Sequence, residues 1–315
     1  MTHPEPSFDP ENPFYDLSVI VPCTPTDTTL QEVLQSLSAQ KGVNFEVLLV
    51  MNPKSGPFPA LPSMNSLNIR FLGSDRGANR ARNKGLAESR AELVLFLDSD
   101  CVLPQADFLF HVVHRMRSQS FLTAAGGSYQ LPEGSGAGER AYNSLQMRWL
   151  QRGIVNSNFE TRHLLGGFLA MRKSLLKSYV FDENLIFGGT ERELLRRLHQ
   201  DGHSIRLWPD LSLIHLGPIT PRGLARKAFA QGQGARYILE KLGPEAPLTQ
   251  IFLDSHRPDP KEDPWLDLYR FFFEWGFNGS PTRSLQRLVV SLVNSTFQWL
   301  RLTENRLLSY QAKNH

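Results

Sequence analysis

Two aspartates lie one residue apart at the end of a strongly apolar segment, and they are the strongest chemical signal in the chain. Residues 93–97 are all apolar, and Asp98, Ser99 and Asp100 follow directly. An uninterrupted apolar run of this length is typical of a strand buried on both faces, as in parallel sheets. Ligands of open α/β sheets bind just beyond the carboxyl ends of such strands. We therefore expect the two carboxylates to border a binding site.

Two carboxylates this close together repel each other and lose hydration. The cost is several kcal/mol unless a positive charge lies between them. A divalent cation that also binds a phosphate-bearing ligand is the simplest compensation, and hard oxygen ligands favour Mg²⁺ or Mn²⁺ over Zn²⁺. Taken alone, such a tripeptide is more often a solvated turn after a strand. The surrounding sequence must therefore distinguish a metal site from such a turn.

The elements that position this pair alternate between strand and helix patterns. Apolar runs predict strands at 17–22, 45–51, 69–72 and 93–97, and helical spacing predicts helices at 24–38 and 77–90. This alternation predicts an α/β fold with a parallel, right-handed unit.

Further elements follow the aspartates. The predicted elements are helices at 105–117, 142–153 and 191–200, and strands at 121–125, 164–172, 204–208 and 211–215. The glycine-rich residues 126–139 are expected to form a mobile loop. From residue 221 the pattern is largely helical, with an apolar face over 284–300. We divide the chain into a disordered tail at 1–15, an α/β domain at 16–220 and a helical region at 221–315.

Composition restricts the class of protein. The chain has 315 residues, of which 41% are hydrophobic and 21% charged, as in globular proteins. A net charge of +3 is too small to indicate a nucleic-acid partner. The two cysteines, Cys23 and Cys101, lie at predicted strand ends, which favours a reducing, cytoplasmic compartment over a disulfide framework. We expect no transmembrane segment, and residues 1–13 lack the pattern of a signal peptide.

Six short segments follow one another in an informative order. They are SVIVP at 18–22, ARNKG at 81–85 after Gly77, FLDSD at 96–100, GGFLA at 166–170, FDE at 181–183 and GGTE at 188–191. Over roughly residues 16–240 the chain resembles the family 2 glycosyltransferases of the soluble bacterial type. The resemblance implies a GT-A (nucleotide-diphospho-sugar transferase) fold with a mainly parallel central sheet. It also implies a metal-dependent, inverting transfer of a sugar from a nucleoside-diphosphate sugar to an acceptor nucleophile.

The resemblance assigns a metal site that holds Mn²⁺ or Mg²⁺ against the donor diphosphate. The implied metal residues are Asp98, Asp100 and His215. Of the two acids Asp100 is the better ligand, and Asp98 contacts the ribose or metal-bound water. His215, at the end of a predicted strand, completes the metal site or touches the diphosphate, since imidazole can ligate Mn²⁺. The alternative for His215 is a structural histidine.

The resemblance also places the donor nucleotide along the ends of the first strands. The candidate contacts are Pro22, Cys23, Thr24, Asn52, Asp75, Arg82, Asn83, Asp98 and Ser99. One position departs from the family, because Met51 stands where an aspartate usually holds the nucleoside, and a thioether is a poor acceptor. Base recognition then falls to Asn52, Asp75 or backbone groups, or the donor differs from the common uridine case.

The general base is a second departure from the family. Glu191 stands at the position of the usual catalytic aspartate, and Thr190 replaces the usual glutamate before it. A glutamate differs by one methylene in reach and can deprotonate an acceptor hydroxyl. The alternative is an acidic first turn that the helix dipole favours. Glu193 and Asp182 are expected to be structural.

The acceptor is expected under residues 126–165. Gly166, Gly167 and Trp149 are candidate contacts to the donor or acceptor sugar, although a tryptophan at helical spacing is more often a packing residue. The acceptor class stays open between a glycan, a lipid-linked sugar, a peptide and a small molecule.

The C-terminal region has several alternatives. A basic stretch with Arg222, Arg226 and Lys227 is either a lid over the diphosphate or a solvated helix face. The aromatic residues near 271–277 favour core packing or a homodimer contact, and peripheral contact with a membrane surface is the other alternative.

Two rival functions remain open. A nucleotidyltransferase would need a glycine-rich, lysine-bearing loop that does not follow Pro22. A catalytically silent nucleotide-binding or scaffold protein is favoured by Thr190 and Met51 and opposed by the intact Asp-Ser-Asp.

Overall fold

The fold is taken from a computed structural model, which describes residues 15–58, 67–185, 190–243 and 264–279. The predicted helix at 284–300 and nearly all of the predicted tail lie outside these ranges. Tyr15, which we assigned to the tail, is only 7% exposed and packs with the domain.

Eight strands and seven α-helices are described. The strands are β1 (Leu17–Pro22), β2 (Phe45–Met51), β3 (Asn68–Gly73), β4 (Leu93–Leu97), β5 (Cys101–Val102), β6 (Leu122–Gln130), β7 (Phe168–Arg172) and β8 (Ser204–His215). The helices are α1 (Leu30–Ser38), α2 (Ala78–Glu88), α3 (Phe108–Ser118), α4 (Ala137–Gly153), α5 (Thr190–Gln200), α6 (Pro221–Leu242) and α7 (Pro264–Asn278). The two strands predicted over 204–215 are one continuous strand.

All eight strands form one sheet in the order β3-β2-β1-β4-β7-β6-β8-β5. Strands β3, β2, β1 and β4 are parallel neighbours, and β6 is parallel to β8. Strand β7 runs antiparallel to both β4 and β6, and β5 runs antiparallel to β8. The prediction of an α/β fold with a mainly parallel sheet is confirmed. The carboxyl ends of β1 to β4 therefore meet at one edge.

The central strands are buried because their sequences are almost entirely apolar. Glu46 in β2 is the exception and is fully buried. Its carboxylate accepts hydrogen bonds from Ser18 Oγ at 2.8 Å, Arg90 N at 2.7 Å and Arg70 Nη1 at 3.0 Å. A buried charge is tolerated when it is paired and hydrogen-bonded, and here the pairing connects β1, β2, β3 and the end of α2.

The expectation of a loop over 126–139 is wrong at both ends, and only residues 131–136 lie outside strand and helix. Gly126 and Gly127 lie inside β6, and α4 already begins at residue 137. A Cβ on Gly126 would lie 2.2 Å from the carbonyl oxygen of Phe168, and one on Gly127 would lie 2.0 Å from that of Leu211. These glycines allow neighbouring strands to approach closely, which composition alone does not distinguish from a loop.

The described part of the C-terminal region is a helical layer. Helices α6 and α7 cross at close range. A Cβ on Gly232 would lie only 2.1 Å from the carbonyl oxygen of Phe273, so a glycine is needed there for the two helices to approach. Tyr269 and Phe273 of α7 are buried against Tyr142 of α4. The aromatic residues of α7 therefore serve core packing. Within the described ranges, none of the helices combines the length and the apolar character needed to cross a membrane.

Candidate active site

The carboxyl edge of β1 to β4 collects most of the predicted site residues. Asp98 and Asp100 follow β4 in a tight turn, in which Cys101 N donates to Asp98 O at 3.1 Å. The Asp98 and Asp100 side chains remain 39% and 32% exposed. Both carboxylates can therefore be reached by a ligand at this edge.

Asp98 is compensated by the chain itself. Arg82 Nη2 lies 2.9 Å from Asp98 Oδ1, and the Arg82 side chain is only 6% exposed. Our expectation that a cation must separate the two acids is therefore too simple, because a buried guanidinium already neutralises one of them.

Asp100 has a different neighbour. Its Oδ2 lies 3.4 Å from Nε2 of His215, which is brought opposite by the antiparallel pairing of β5 with β8. Burial lowers the pKa of His215, and the positive charge of Lys227 lowers it further, although Asp100 acts to raise it. The pair therefore offers a carboxylate and a neutral imidazole, the form of histidine that binds metals.

These donors fit a divalent cation that is shared with a phosphate ligand. The described ranges contain no group of three or more His, Cys, Asp or Glu side chains placed to hold a metal. Mg²⁺ is commonly bound through one or two carboxylates together with substrate phosphates and water, and Asp100 supplies such a carboxylate. Asp98 is less suited, because Arg82 occupies one of its oxygens.

The predicted base lies close to the same arginine. Arg82 Nη1 donates to Thr190 Oγ1 at 3.1 Å, and Thr190 Oγ1 donates to Glu191 Oε2 at 2.8 Å. Thr190 is thus a connector between Arg82 and Glu191, a role that we did not predict. Glu191 is partly exposed in the first turn of α5, so its carboxylate can be reached by a ligand.

Gly166 and Gly167 separate the two acidic groups. A Cβ on Gly166 would lie 3.0 Å from Glu191 Oε2, and one on Gly167 would lie 2.5 Å from Asp98 Oδ2. The missing side chains keep space open between the Asp-Ser-Asp turn and the start of α5.

The predicted nucleotide contacts occupy three strand ends. Pro22 ends β1, and Cys23 and Thr24 follow it, while Asn52 follows β2 and Asp75 follows β3. Asp27, which we did not predict, joins this edge to the Asp-Ser-Asp turn. Its Oδ2 accepts from Thr24 N at 2.9 Å and from Ser99 Oγ at 2.6 Å. Burial, with Asp27 nearby, raises the pKa of Cys23 to about 12, so this thiol stays protonated.

Three candidates have other roles in the structure. Asn83 pins the backbone of Phe181, donating to its O and accepting from its N, both at 2.9 Å. Arg82 lies at the site, but both of its terminal nitrogens bind the chain. Trp149 is 3% exposed, and the Arg192 guanidinium lies 5.0 Å from its ring centroid. Asn83 and Arg82 therefore position other groups, and Trp149 packs instead of presenting a face to a sugar.

Tyr129 is a further site residue that the sequence analysis missed, because it lay in the segment predicted to be a loop. Its Oη accepts from Gly167 N at 3.0 Å, and its ring lies 5.3 Å from that of His215. Burial raises the pKa of Tyr129 well above its ordinary value, so the phenol keeps its proton as a hydrogen-bond donor. The predicted strand at 121–125, which continues through Tyr129 as β6, was the available signal.

Glu193 and Asp182 have the structural contacts that we expected. Glu193 is fully buried and binds Arg197 Nη2 at 2.8 Å and Lys241 Nζ at 2.8 Å. Asp182 binds the same Lys241 and Tyr237 Oη. These contacts fix the segment before α5 against α6.

Comparisons with known proteins agree with this geometry. The model of the family described as "Glycosyl transferase family 2" matches residues 18–180. Glycosyltransferase AglE of Haloferax volcanii is 26% identical over 230 residues, which is 69% of this chain and 72% of that protein. An uncharacterized glycosyltransferase of Haemophilus influenzae is 33% identical over 98 residues, 28% of this chain and 31% of that protein.

Two solved structures share the fold. Mannosyltransferase PcManGT from Pyrobaculum calidifontis, in complex with GDP-Man and Mn²⁺, has a TM-score of 0.58 at 17% identity. That match covers 92% of this chain and 81% of the other. S. aureus TarS 1-349 has a TM-score of 0.50 at 18% identity, covering 83% and 80%.

Proposed function

Because the chain belongs to glycosyltransferase family 2 and has the GT-A fold, we propose that it is a metal-dependent, inverting enzyme. It would move a sugar from a nucleoside-diphosphate sugar to an acceptor nucleophile. One observation carries the proposal: Arg82 and Thr190 connect the Asp-Ser-Asp turn to Glu191, so that diphosphate-binding and proton-accepting groups border one space.

Asp100 and His215 would hold the cation, Mg²⁺ or Mn²⁺. When bound, such a cation stabilises the negative charge of the diphosphate. PcManGT, which shares the fold, is in complex with GDP-Man and Mn²⁺, and this supports the assignment. Asp98, fixed by Arg82, leaves its Oδ2 beside Gly167 for the ribose or for water.

Glu191 is the proposed general base. As the acceptor oxygen bonds to the anomeric carbon, its proton passes to the Glu191 carboxylate. The bond from that carbon to the β-phosphate oxygen breaks, and its electron pair leaves with the nucleoside diphosphate. Attack from the face opposite the leaving group inverts the anomeric centre. Thr190 holds the carboxylate through one oxygen and so sets the direction of the other.

The nucleoside would lie along the ends of β1 to β3, against Pro22, Cys23, Thr24, Asn52, Asp75 and Ser99. Asn52 Oδ1 already accepts from Lys54 N at 2.9 Å. Its amide nitrogen is then the group available to donate a hydrogen bond to a carbonyl of the nucleobase. The acceptor classes remain a glycan, a lipid-linked sugar, a peptide or a small molecule.

The test is a screen of UDP- and GDP-sugars for free-nucleotide release, with and without Mn²⁺. We expect Glu191→Gln to lower turnover by about 100-fold or more at saturating donor while donor binding is retained. Glu183→Gln, at a half-exposed position, is the matched control and should keep wild-type turnover. Near-normal turnover of Glu191→Gln would overturn the base assignment. If calorimetry detects no metal-dependent binding of UDP or GDP to the wild type, the chain is a silent scaffold instead.

A further inference from the structure

Lys227 is a positively charged side chain held beside the candidate site by three helices. It lies in the second turn of α6, and its Nζ is 4.8 Å from the centroid of the Tyr142 ring. Tyr142, on α4, is only 4% exposed, and its Oη accepts from Gln231 Nε2 at 3.0 Å. Gln231 in turn accepts a hydrogen bond from Tyr269 of α7. These contacts fix the aromatic face on which Lys227 rests.

The charge of Lys227 is incompletely compensated within the protein. Over the ranges that the structure describes, its ammonium has the ring of Tyr142 as a partner but no carboxylate or other hydrogen-bond acceptor. An aromatic face offsets only part of the cost of removing an ammonium from water. An anionic ligand would complete the coordination of this group.

Lys227 interacts electrostatically with both members of the Asp100–His215 pair. The chain passes from His215 through Gly217, where a Cβ would lie 2.6 Å from Asp100 Oδ2, directly into α6. Burial lowers the pKa of Lys227, but Tyr142, Asp100 and Asp98 outweigh this effect and raise the pKa overall. Its neighbours on α6, Arg222 and Arg226, are exposed, so Lys227 is the inward-facing cation of this turn.

We propose that Lys227 binds the β-phosphate of the donor diphosphate and stabilises it as the leaving group. The inference rests on the proposed function. The β-phosphate gains negative charge as its oxygen takes the electron pair of the breaking glycosidic bond, and an ammonium fixed beside it stabilises that charge. Arg82 is less suited to this role, because its positive charge is already paired with Asp98 and its guanidinium is also bonded to Thr190.

Nucleoside diphosphates and monophosphates separate this role from a structural one. We would titrate the wild type, Lys227→Gln, Lys227→Met and Lys227→Arg with UDP, GDP, UMP and GMP in the presence of Mn²⁺. We expect both neutral variants to bind the preferred diphosphate about tenfold more weakly, the scale of a charge-assisted hydrogen bond. Binding of the matching monophosphate should not change, because it lacks the β-phosphate. Lys227→Arg should retain most of the diphosphate affinity.

Lys41→Gln, at an exposed position, controls for the loss of one positive charge. Circular dichroism at each titration temperature establishes that the variants are folded. Lys227→Met keeps the apolar stem of the side chain, so it tests the loss of charge even if Lys227→Gln disrupts packing. Equal diphosphate affinity in the wild type and the neutral variants would overturn the Lys227 assignment and leave the proposed function standing. A parallel loss of monophosphate affinity would also overturn it. A wild type that binds no nucleoside diphosphate would overturn both.

Discussion

Arg82 donates a hydrogen bond to Asp98, with 2.9 Å between Nη2 and Oδ1. The other terminal nitrogen of this guanidinium binds Thr190, which in turn binds Glu191. One buried side chain therefore connects the end of β4 to the first turn of α5. Since Asp98 is compensated in this way, Asp100 is the acid that is left for an external cation.

The first prediction concerns this arginine. Arg82→Lys keeps the charge but loses the planar fork whose two terminal nitrogens reach Asp98 and Thr190 separately. We expect turnover to fall about tenfold or more. The free energy of unfolding should fall by about 1–2 kcal/mol, with the partial exposure of Asp98 limiting the loss. Urea unfolding and sugar-transfer assays measure the two effects. Arg80→Lys, at a 43% exposed position, is the control, and equal behaviour of the two variants would contradict the prediction.

The second prediction concerns Thr190. Thr190→Val keeps the shape of the side chain but removes the hydroxyl that accepts from Arg82 and donates to Glu191. We expect kcat to fall about tenfold with little change in donor affinity, because the hydroxyl orients the base. Thr190→Ser restores the hydroxyl and should recover most of kcat. Loss of donor binding in the valine variant, or no rescue by serine, would assign Thr190 a different role.

The central strands and the acidic turn were predictable from the sequence because their signals are local. Strands β1, β2 and β4 have continuous apolar runs, and the Asp-Ser-Asp turn adjoins the last of them. Two buried faces require such runs, so strand type and burial follow from the same residues. The position of the acids at the sheet edge followed in turn from the parallel order of the strands.

The contacts that complete the site were not predictable, because they depend on residues distant in the chain. The bonds from Arg82 to Thr190 and from Gly167 to Tyr129 exist only after the sheet forms. Asn83 was assigned to the nucleotide from the family resemblance, but its side chain is directed to Phe181. Residues adjacent on a helix point in different directions, and family position does not report which one faces the site.

The third prediction tests the space between the acidic groups. A Cβ on Gly167 would lie 2.5 Å from Asp98 Oδ2 and 2.6 Å from Tyr129 Oη. Gly167→Ala should therefore displace Asp98 and lower turnover about tenfold or more, because small shifts of reacting groups are costly. Gly73→Ala is the control, since its Cβ would approach nothing closer than Pro53 Cγ at 3.7 Å. Full activity of Gly167→Ala would show that the space beside Asp98 is not needed.

The fourth prediction concerns pH and His163. Burial, with Arg192 nearby, lowers the pKa of this histidine from 6.5 to about 3. Between these values the unfolded chain binds a proton that the folded chain does not, so stability falls as the pH drops below 6.5. From pH 7 to pH 5 this histidine should cost about 2 kcal/mol of the free energy of unfolding. Urea unfolding at pH 7 and pH 5 measures the effect, and in His163→Gln the drop in the free energy of unfolding between the two pH values should be smaller by that amount. In the control His111→Gln, at a 45% exposed position, the contribution of His163 should remain.

The fifth prediction tests whether the α6–α7 crossing supports the site. A Cβ on Gly276 would lie 2.1 Å from the carbonyl oxygen of Phe229, a distance that real Cβ atoms do not reach. Gly276→Ala must therefore separate the helices, and we expect the free energy of unfolding to fall by about 1–3 kcal/mol.

Because Tyr269 of α7 holds Gln231, which binds Tyr142, this separation should also loosen the aromatic face under Lys227. Diphosphate affinity should then fall more than monophosphate affinity, as in Lys227→Gln. Gly223→Ala, whose Cβ would meet Thr220 Oγ1 at 3.1 Å, should change neither affinity. If Gly276→Ala is destabilised but keeps wild-type diphosphate affinity, the α6–α7 crossing does not support diphosphate binding, and α7 has only a packing role.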